Sequence, residues 1–151
     1  MEILNLEKIE GDSKRVEDML FLLDEFYIPT ISSIVSIPHY AKKLLEKAHV
    51  YIPKVGNQDC GVLAFYMNDN ISKTAFISSI GLLPAYQGKG LALLMLEFFE
   101  STCKKNYFNQ LQLEVHQSNT KAIKFYKKFG FVPVEDRGLF ILMKKEINCD
   151  G

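Results

Sequence analysis

The passage from Lys73 to Thr102 restricts this chain most, because a β-forming run there meets a helical run across two closely spaced glycines. Lys73 to Leu83 reads as a strand, and Pro84-Ala85-Tyr86 leads out of it. Gln87-Gly88-Lys89-Gly90-Leu91-Ala92 then opens at once into a helix. Glycines let the backbone turn tightly and approach a ligand without a Cβ in the way. The first N–H groups of the helix have no partner within it, and its dipole favours an anion at that end. Such a turn is suited to phosphate. It is not a P-loop, because Gly-x-x-x-x-Gly-Lys-Ser/Thr is missing, and a dinucleotide fingerprint would need glycine where Leu93 stands. Taken alone, the turn leaves the identity of the phosphate ligand open.

The rest of the chain can be read around that passage. Residues 3 to 9 form a short apolar-polar segment, suited to an edge strand. Gly11-Asp12-Ser13 offers a cap, and Val16, Met19, Leu20, Leu23 and Tyr27 recur at helical spacing up to Pro29. Residues 29 to 37 read as irregular. Pro38 suits the first turn of a second helix through Tyr40, Leu44, Leu45 and Ala48, which places His39 and His49 on that helix as surface residues. Val50 to Val55 and Gly61 to Met67 are strands parted from their neighbours by the turns Gly56-Asn57-Gln58-Asp59 and Asn68-Asp69-Asn70. The long helix after the glycines should turn Leu91, Leu94, Met95, Phe98 and Thr102 inward. Leu111 to Val115 is a short buried strand. Asn119 to Phe129 is a helix with Ala122, Phe125, Tyr126 and Phe129 inward, stopped by Gly130. Strands at Phe131 to Val134 and Leu139 to Glu146 close the chain. The order β-α-α-β-β-β-α-β-α-β-β predicts an α+β layer arrangement on a mostly antiparallel sheet. Parallel neighbours are expected only between 73 and 115.

Composition narrows the function classes. A chain of 151 residues without repeat, low-complexity tract or linker is expected to be a single domain, residues 1–151. Eighteen basic residues balance eighteen acidic ones, so no net field draws it to nucleic acid or an anionic membrane. Cys60, Cys103 and Cys149 are odd in number and widely spaced, which reads as free thiols in a reducing compartment, with no metal site. Cys103 lies within a helix, with no histidine near it in sequence to activate it as a nucleophile. Met1 to Lys8 lacks a basic segment followed by an apolar one, and no apolar run is long enough to span a membrane. The expected location is cytoplasmic.

Two motifs carry a resemblance. Ile80-Gly81-Leu82-Leu83-Pro84 followed by Gln87-x-x-Gly90-x-Ala92 is similar to the signature of the GCN5-related N-acetyltransferases (GNAT), Arg/Gln-x-x-Gly-x-Gly/Ala after an apolar-x-apolar-x-Pro strand end. The second runs from Leu111-Gln112-Leu113-Glu114-Val115 through Asn119-Thr120-Lys121-Ala122 and Phe125-Tyr126 to Phe129-Gly130-Phe131. It resembles the strand, Asn-x-x-Ala, Tyr and Gly-Phe segment of the same family, at the family's distance. The likeness is close over about residues 60 to 135.

The resemblance implies a GNAT fold: a mixed, mostly antiparallel central sheet of 6–7 strands, flanked by four helices and splayed where acetyl-CoA binds. It implies acetyl-CoA as co-substrate. The backbone of Ile80, Gly81 and Leu82 would pair with the pantetheine arm, and the Leu82 N–H would polarise the thioester carbonyl. The amides of Gly88, Lys89, Gly90, Leu91, Ala92 and Leu93 would hold the pyrophosphate, and Asn119 would hydrogen-bond the pantetheine chain. Tyr126 would be the general acid that reprotonates the departing thiolate; the competing reading is a core aromatic. Glu114, alternating away from Leu113 and Val115, is the candidate base, with His116 on the same face as its substitute. Lys121, Lys124, Lys127 and Lys128, with Lys89, are candidates for the 3′-phosphate, although a solvated helix face is the preferred reading.

The acceptor is less defined. By the same resemblance it would lie among residues 12 to 49 and about 134 to 142, where Phe26-Tyr27-Ile28-Pro29-Thr30-Ile31 is aromatic and apolar. The expected reaction is acetyl transfer to a primary amine of a small molecule such as an amino sugar or amino acid. A protein or peptide N-terminus is the alternative acceptor, and a non-catalytic acetyl-CoA sensor is the alternative from another class. The expected oligomer is a monomer or a homodimer.

Overall fold

The structure is a computed structural model that describes residues 3–149. Met1, Glu2, Asp150 and Gly151, which belong to the N-terminal and single-domain readings, lie outside the described residues. The strands are β1 (Leu4–Lys8), β2 (His49–Val55), β3 (Gln58–Asp59), β4 (Gly61–Asp69), β5 (Thr74–Leu82), β6 (Gln110–His116), β7 (Val132–Arg137) and β8 (Phe140–Glu146). The α-helices are α1 (Ser13–Leu23), α2 (Ile37–Lys47), α3 (Leu91–Lys105) and α4 (Thr120–Phe129). The strands hydrogen-bond in the order β1-β2-β4-β5-β6-β8-β7, with β3 paired to β2, in one mixed eight-stranded sheet. The expected parallel pair is β5–β6, in register from Thr74↔Gln110 to Ile77↔Leu113. The count exceeds the expected 6–7 by the two-residue β3. The sequence predicts one turn over Gly56 to Asp59, but Gln58 and Asp59 fold back onto Val55 and Lys54.

The chain divides into two compact units, Met1–Tyr66 with Ser78–Phe99 and Met67–Ile77 with Glu100–Gly151. In the first, α1 and α2 bury Val16, Met19, Leu20, Leu23, Ile37, Ala41 and Leu44 with Val50 and Ile52 of β2 and Val62 and Ala64 of β4. Strand alternation sends Phe65 the other way, where its ring meets Phe99 of α3 edge-on at 4.9 Å. Asp12 caps α1 by accepting from the Arg15 N–H, and Ser36 caps α2 by accepting from the His39 N–H. The Arg15 guanidinium forks onto Asp59 at 2.8 Å and also reaches Glu7, tying α1 to β3 and β1.

In the second unit, β6 buries Leu111, Leu113 and Val115, and β8 buries Leu142 and Met143. The Phe131 ring stacks with Phe129 of α4. Gly130 ends that helix in a left-handed conformation, as its position predicts. Ala122, Phe125, Tyr126 and Phe129 are all half-buried.

Three local expectations are corrected. Helix α1 stops at Leu23 and gives way to a 3-10 turn at Asp24–Phe26, so Tyr27 leaves the helix. The Asp24 carboxylate draws the chain away there by accepting from the Ser32 N–H and hydroxyl. Second, α3 buries Leu91, Met95, Leu96, Phe99 and Cys103, while Leu94 is exposed. Its first nine residues hold seven large apolar side chains, Leu91, Leu93, Leu94, Met95, Leu96, Phe98 and Phe99, so periodicity alone could not choose the inward face. Third, His49 opens β2 rather than closing α2, and its half-buried ring stacks on Phe65. Burial pushes the pKa of that imidazole down, with Lys8 adding to the shift.

Candidate active site

The β5–α3 junction is fixed by main-chain bonds. The Leu83 N–H donates to the Cys60 carbonyl at 2.8 Å, and a 3-10 turn at Pro84–Tyr86 redirects the chain. The Gln87 side-chain amide then reaches back to donate to the Leu82 carbonyl at 2.8 Å, closing the loop between the end of β5 and the glycines. The glutamine of the motif is thus a brace. Gly88 and Gly90 follow at φ +77° and +79°, conformations that cost an L side chain roughly 1–3 kcal/mol. Apart from each glycine and its chain neighbours, no atom of the described residues lies within 4 Å of where a Cβ would stand at either position. The glycines are therefore required by the backbone path, and the space beside them is open to a ligand. Helix α3 starts immediately afterwards. Its leading amides, from Leu91 to Leu93, precede the first in-helix acceptor. Leu91 points its side chain into the core, so only its main chain is available to the turn.

Upstream, Ile80 to Leu82 are held by a group that sequence reasoning missed. The Tyr27 hydroxyl shares a 2.7 Å hydrogen bond with buried Ser79. Its ring lies where a Cβ at Gly81 would stand, 2.6 Å from the hydroxyl oxygen and 2.7 Å from Cε1. The Gly81 carbonyl oxygen, in turn, is 2.1 Å from where a Cβ at Gly61 would be. Gly81 is therefore bounded by protein on both sides, and the absence of its side chain serves packing. Tyr40 of α2 hydrogen-bonds Ser78, and burial pushes its phenol pKa up. The only sequence signal for this tyrosine–serine arrangement was aromatic content in the loop after α1.

The second unit carries the remaining candidates. Asn119 caps α4, its Oδ1 accepting from the Ala122 N–H at 3.2 Å, which leaves its amide nitrogen as the group for a ligand. Tyr126 packs its ring edge-on to Phe131 and against Phe125. Burial pushes its phenol up to about 12, and the hydroxyl makes no hydrogen bond among the described residues. It thus combines the packing of a core aromatic with a proton held at every physiological pH.

Glu114 projects from β6 on the exposed side, 3.6 Å from Arg137 of β7, which also donates to Glu135. His116, two positions on, has its Nδ1 occupied by the Ser118 N–H at 3.1 Å and lies 2.8 Å from the Ser118 hydroxyl. In a neutral ring that arrangement places the hydrogen on Nε2. Lys121, Lys124, Lys127 and Lys128 all lie on the exposed surface of α4. The Cys103 thiol is buried and pushed up to about 12, chiefly by burial, so it stays protonated. No described helix is long and apolar enough to cross a membrane.

Comparison with known proteins identifies the family of the chain. The sequence matches the model of the Acetyltransferase (GNAT) family over residues 16–131. Over 66 residues it is 36% identical to N-alpha-acetyltransferase 50 of Danio rerio, a match covering 43% of this chain and 39% of that one. The chain spans about two fifths of the length of the curated relatives it matches. Among solved structures, the paia N-acetyltransferase of Thermoplasma acidophilum, in complex with coenzyme A, matches with a TM-score of 0.77 and 20% identity over 96% of this chain and 99% of that one. The ribosomal-protein-S18-alanine N-acetyltransferase of Escherichia coli matches with a TM-score of 0.74 and 19% identity over 99% and 97%. At such identities the structural likeness speaks to the fold. The family match covers more than half of the chain, and with that fold it establishes that the chain belongs to the GNAT acetyltransferase family.

Proposed function

We propose that the protein is an acetyl-CoA-dependent N-acetyltransferase that acetylates a primary amine of a small molecule by direct attack in a ternary complex. The observation that carries this reading is the open glycine turn at the start of α3, with Gly88 and Gly90 at positive φ and open space beside both. The co-substrate supplies an acetyl group activated as a thioester. For its pyrophosphate the chain offers the main chain of Gly88 to Leu93, and for its pantetheine arm the main chain of Ile80 to Leu82 and the Asn119 amide.

Tyr126 holds a proton for the leaving sulfur. With its phenol at about 12 it stays protonated at neutral pH. Glu114 takes the proton that the acceptor nitrogen must lose, since an alkylamine is mostly ammonium at pH 7. It is preferred to His116, whose Nδ1 lone pair is already engaged by Ser118.

A peptide N-terminus is a second acceptor reading. It is favoured by the exposed apolar residues Phe26, Ile28, Ile34 and Val35 after α1, and by the two relatives named above for N-alpha- and ribosomal-protein acetylation. A thiol-release screen tests both, using acetyl-CoA with amino sugars, amino acids, polyamines, aminoglycosides and short peptides. The expected result is release with a small amine and a matching mass gain in that amine. Release with peptides alone would replace the small-molecule reading. Binding of acetyl-CoA without release across the panel would make the protein a sensor.

A further inference from the structure

The face of the β6–β8–β7 ladder that carries Glu114 offers more than a base. In register, His116 pairs with Phe140 and Phe140 with Arg137, while Glu114 pairs with Leu142 and Leu142 with Glu135. Cross-strand partners share a face, so Glu114, His116, Glu135 and Arg137 all stand on one side. The His116 ring is held from several directions. It meets Phe140 edge-on at 5.4 Å, and its Nδ1 accepts from Ser118. The next residue, Gln117, anchors the β7–β8 hairpin by donating to the Gly138 carbonyl and to Asp136. That framework engages Nδ1 and leaves Nε2 as the nitrogen for a ligand. Nε2 is the donor nitrogen of the neutral ring, and no described residue accepts from it.

The face therefore sets one carboxylate acceptor, Glu114, beside two donors, the His116 Nε2–H and the Arg137 guanidinium. Glu114 and His116 are two residues apart, about 6.6 Å along the strand. A group reaching both needs a donor nitrogen at one end and an acceptor oxygen at the other. Two hydrogen bonds of about 2.9 Å each, with about 3 Å between the nitrogen and oxygen of an α-amino acyl group, cover that span. A plain alkylamine satisfies Glu114 and leaves both donors without a partner from the ligand.

We infer that, in the reaction proposed above, His116 and Arg137 select amines with an oxygen acceptor on the carbon next to the amine-bearing carbon, as in amino acids, amino amides and peptide N-termini. The Nε2–H and the guanidinium bind the carboxylate or carbonyl oxygen, and the amine is thereby presented to Glu114. His116 is then a specificity residue rather than a base.

The test compares kcat/KM for alanine, alaninamide and an alanine-initiated tripeptide with that for isopropylamine, which keeps the amine and lacks the oxygen. Expressed per unprotonated amine, the best oxygen-bearing amine should exceed isopropylamine by about tenfold or more, because sites built to bond a polar group discriminate strongly against its absence. Preference for alanine identifies a free carboxylate, and preference for alaninamide or the tripeptide identifies a carbonyl; either outcome supports the inference. His116→Phe keeps the ring contact with Phe140 and removes the donor, so the ratio to isopropylamine should fall about tenfold. Isopropylamine as good as the rest, or equal losses on every amine in His116→Phe, would overturn it. Long-range ¹H–¹⁵N spectra give a readout independent of turnover. His116 should show the Nε2–H tautomer, and its Nε2 signal should move with alanine and stay in place with isopropylamine. An Nδ1–H tautomer, or no response to alanine, alaninamide and the tripeptide alike, would overturn the inference. If no amine releases thiol, the activity reading fails, and the spectra still decide this one.

Discussion

Residues 80 to 93, the proposed coenzyme A cradle, and the β6–β8–β7 face, the proposed acceptor side, are built from different materials. The first would work through its main chain. Gly88 and Gly90 shape the path, Gln87 braces the Leu82 carbonyl, and the outward groups are amides at the start of α3. The second would work through side chains, Glu114, His116 and Arg137, set on one face by the register of three strands. A main-chain site tolerates changes in most side chains but not at its glycines. A side-chain site depends on single residues, and its backbone could belong to any antiparallel ladder. Substitutions in the two regions should therefore fail in different ways.

The largest effect is expected at the turn. Gly90→Val puts a β-branched side chain at φ +79° and fills the open space beside it. Acetyl-CoA affinity should fall about 100-fold or more by calorimetry, while circular dichroism shows the fold retained. An unchanged affinity would mean that the turn does not hold the ligand.

Next in size is Tyr126→Phe, which keeps the ring packing and removes the proton. The kcat should drop by roughly 10²–10⁴, the usual worth of a general acid, with acetyl-CoA affinity nearly intact. A similar loss of affinity would mean that Tyr126 holds the co-substrate rather than the leaving proton. Glu114→Gln comes third. It should lower kcat/KM by about 10²-fold and change the shape of the pH–rate profile, again without touching acetyl-CoA binding. A profile of unchanged shape would remove Glu114 as the base.

The smallest effect concerns stability at alkaline pH. The Tyr126 phenol sits at about 12 in the native protein and near 10 in an unfolded chain. Over that interval the unfolded chain gives up a proton that the native state keeps. Tyr126 therefore contributes stability that is full below pH ~10 and lost as the pH rises towards ~12. Between pH 10 and 11, urea unfolding of Tyr126→Phe should show a fall in stability smaller than that of the parent by about 1 kcal/mol. Parallel curves would show that the buried phenol is not coupled to folding. Tyr40 and Tyr66, also pushed up by burial, are present in both proteins and cancel in the difference.

The same contrast explains what was legible before the fold was known. A main-chain site leaves its mark as glycine spacing at a strand–helix junction, so the turn and the β5–β6 parallel pair could be read directly. Asn119 was legible as the start of α4, though its oxygen proved to be the helix cap. Side-chain clusters assembled across strands leave no such mark. Arg137 lies 23 positions from Glu114, and nothing local announces that β8 brings them together. The spacing of Tyr27 from Leu23 predicts a last turn of α1. The Asp24–Ser32 bonds that pull the chain away, and the Gly81 surface that receives the ring, are long-range facts. In α3 an excess of apolar residues hid the inward face.

Every proposed step depends on the glycine turn holding coenzyme A. Calorimetric titration of acetyl-CoA into the folded protein tests that most directly. Saturable binding of one acetyl-CoA per chain, abolished in Gly90→Val and preserved in Glu114→Gln, is the predicted result. No binding to the folded parent protein, or equal binding to all three proteins, would contradict it.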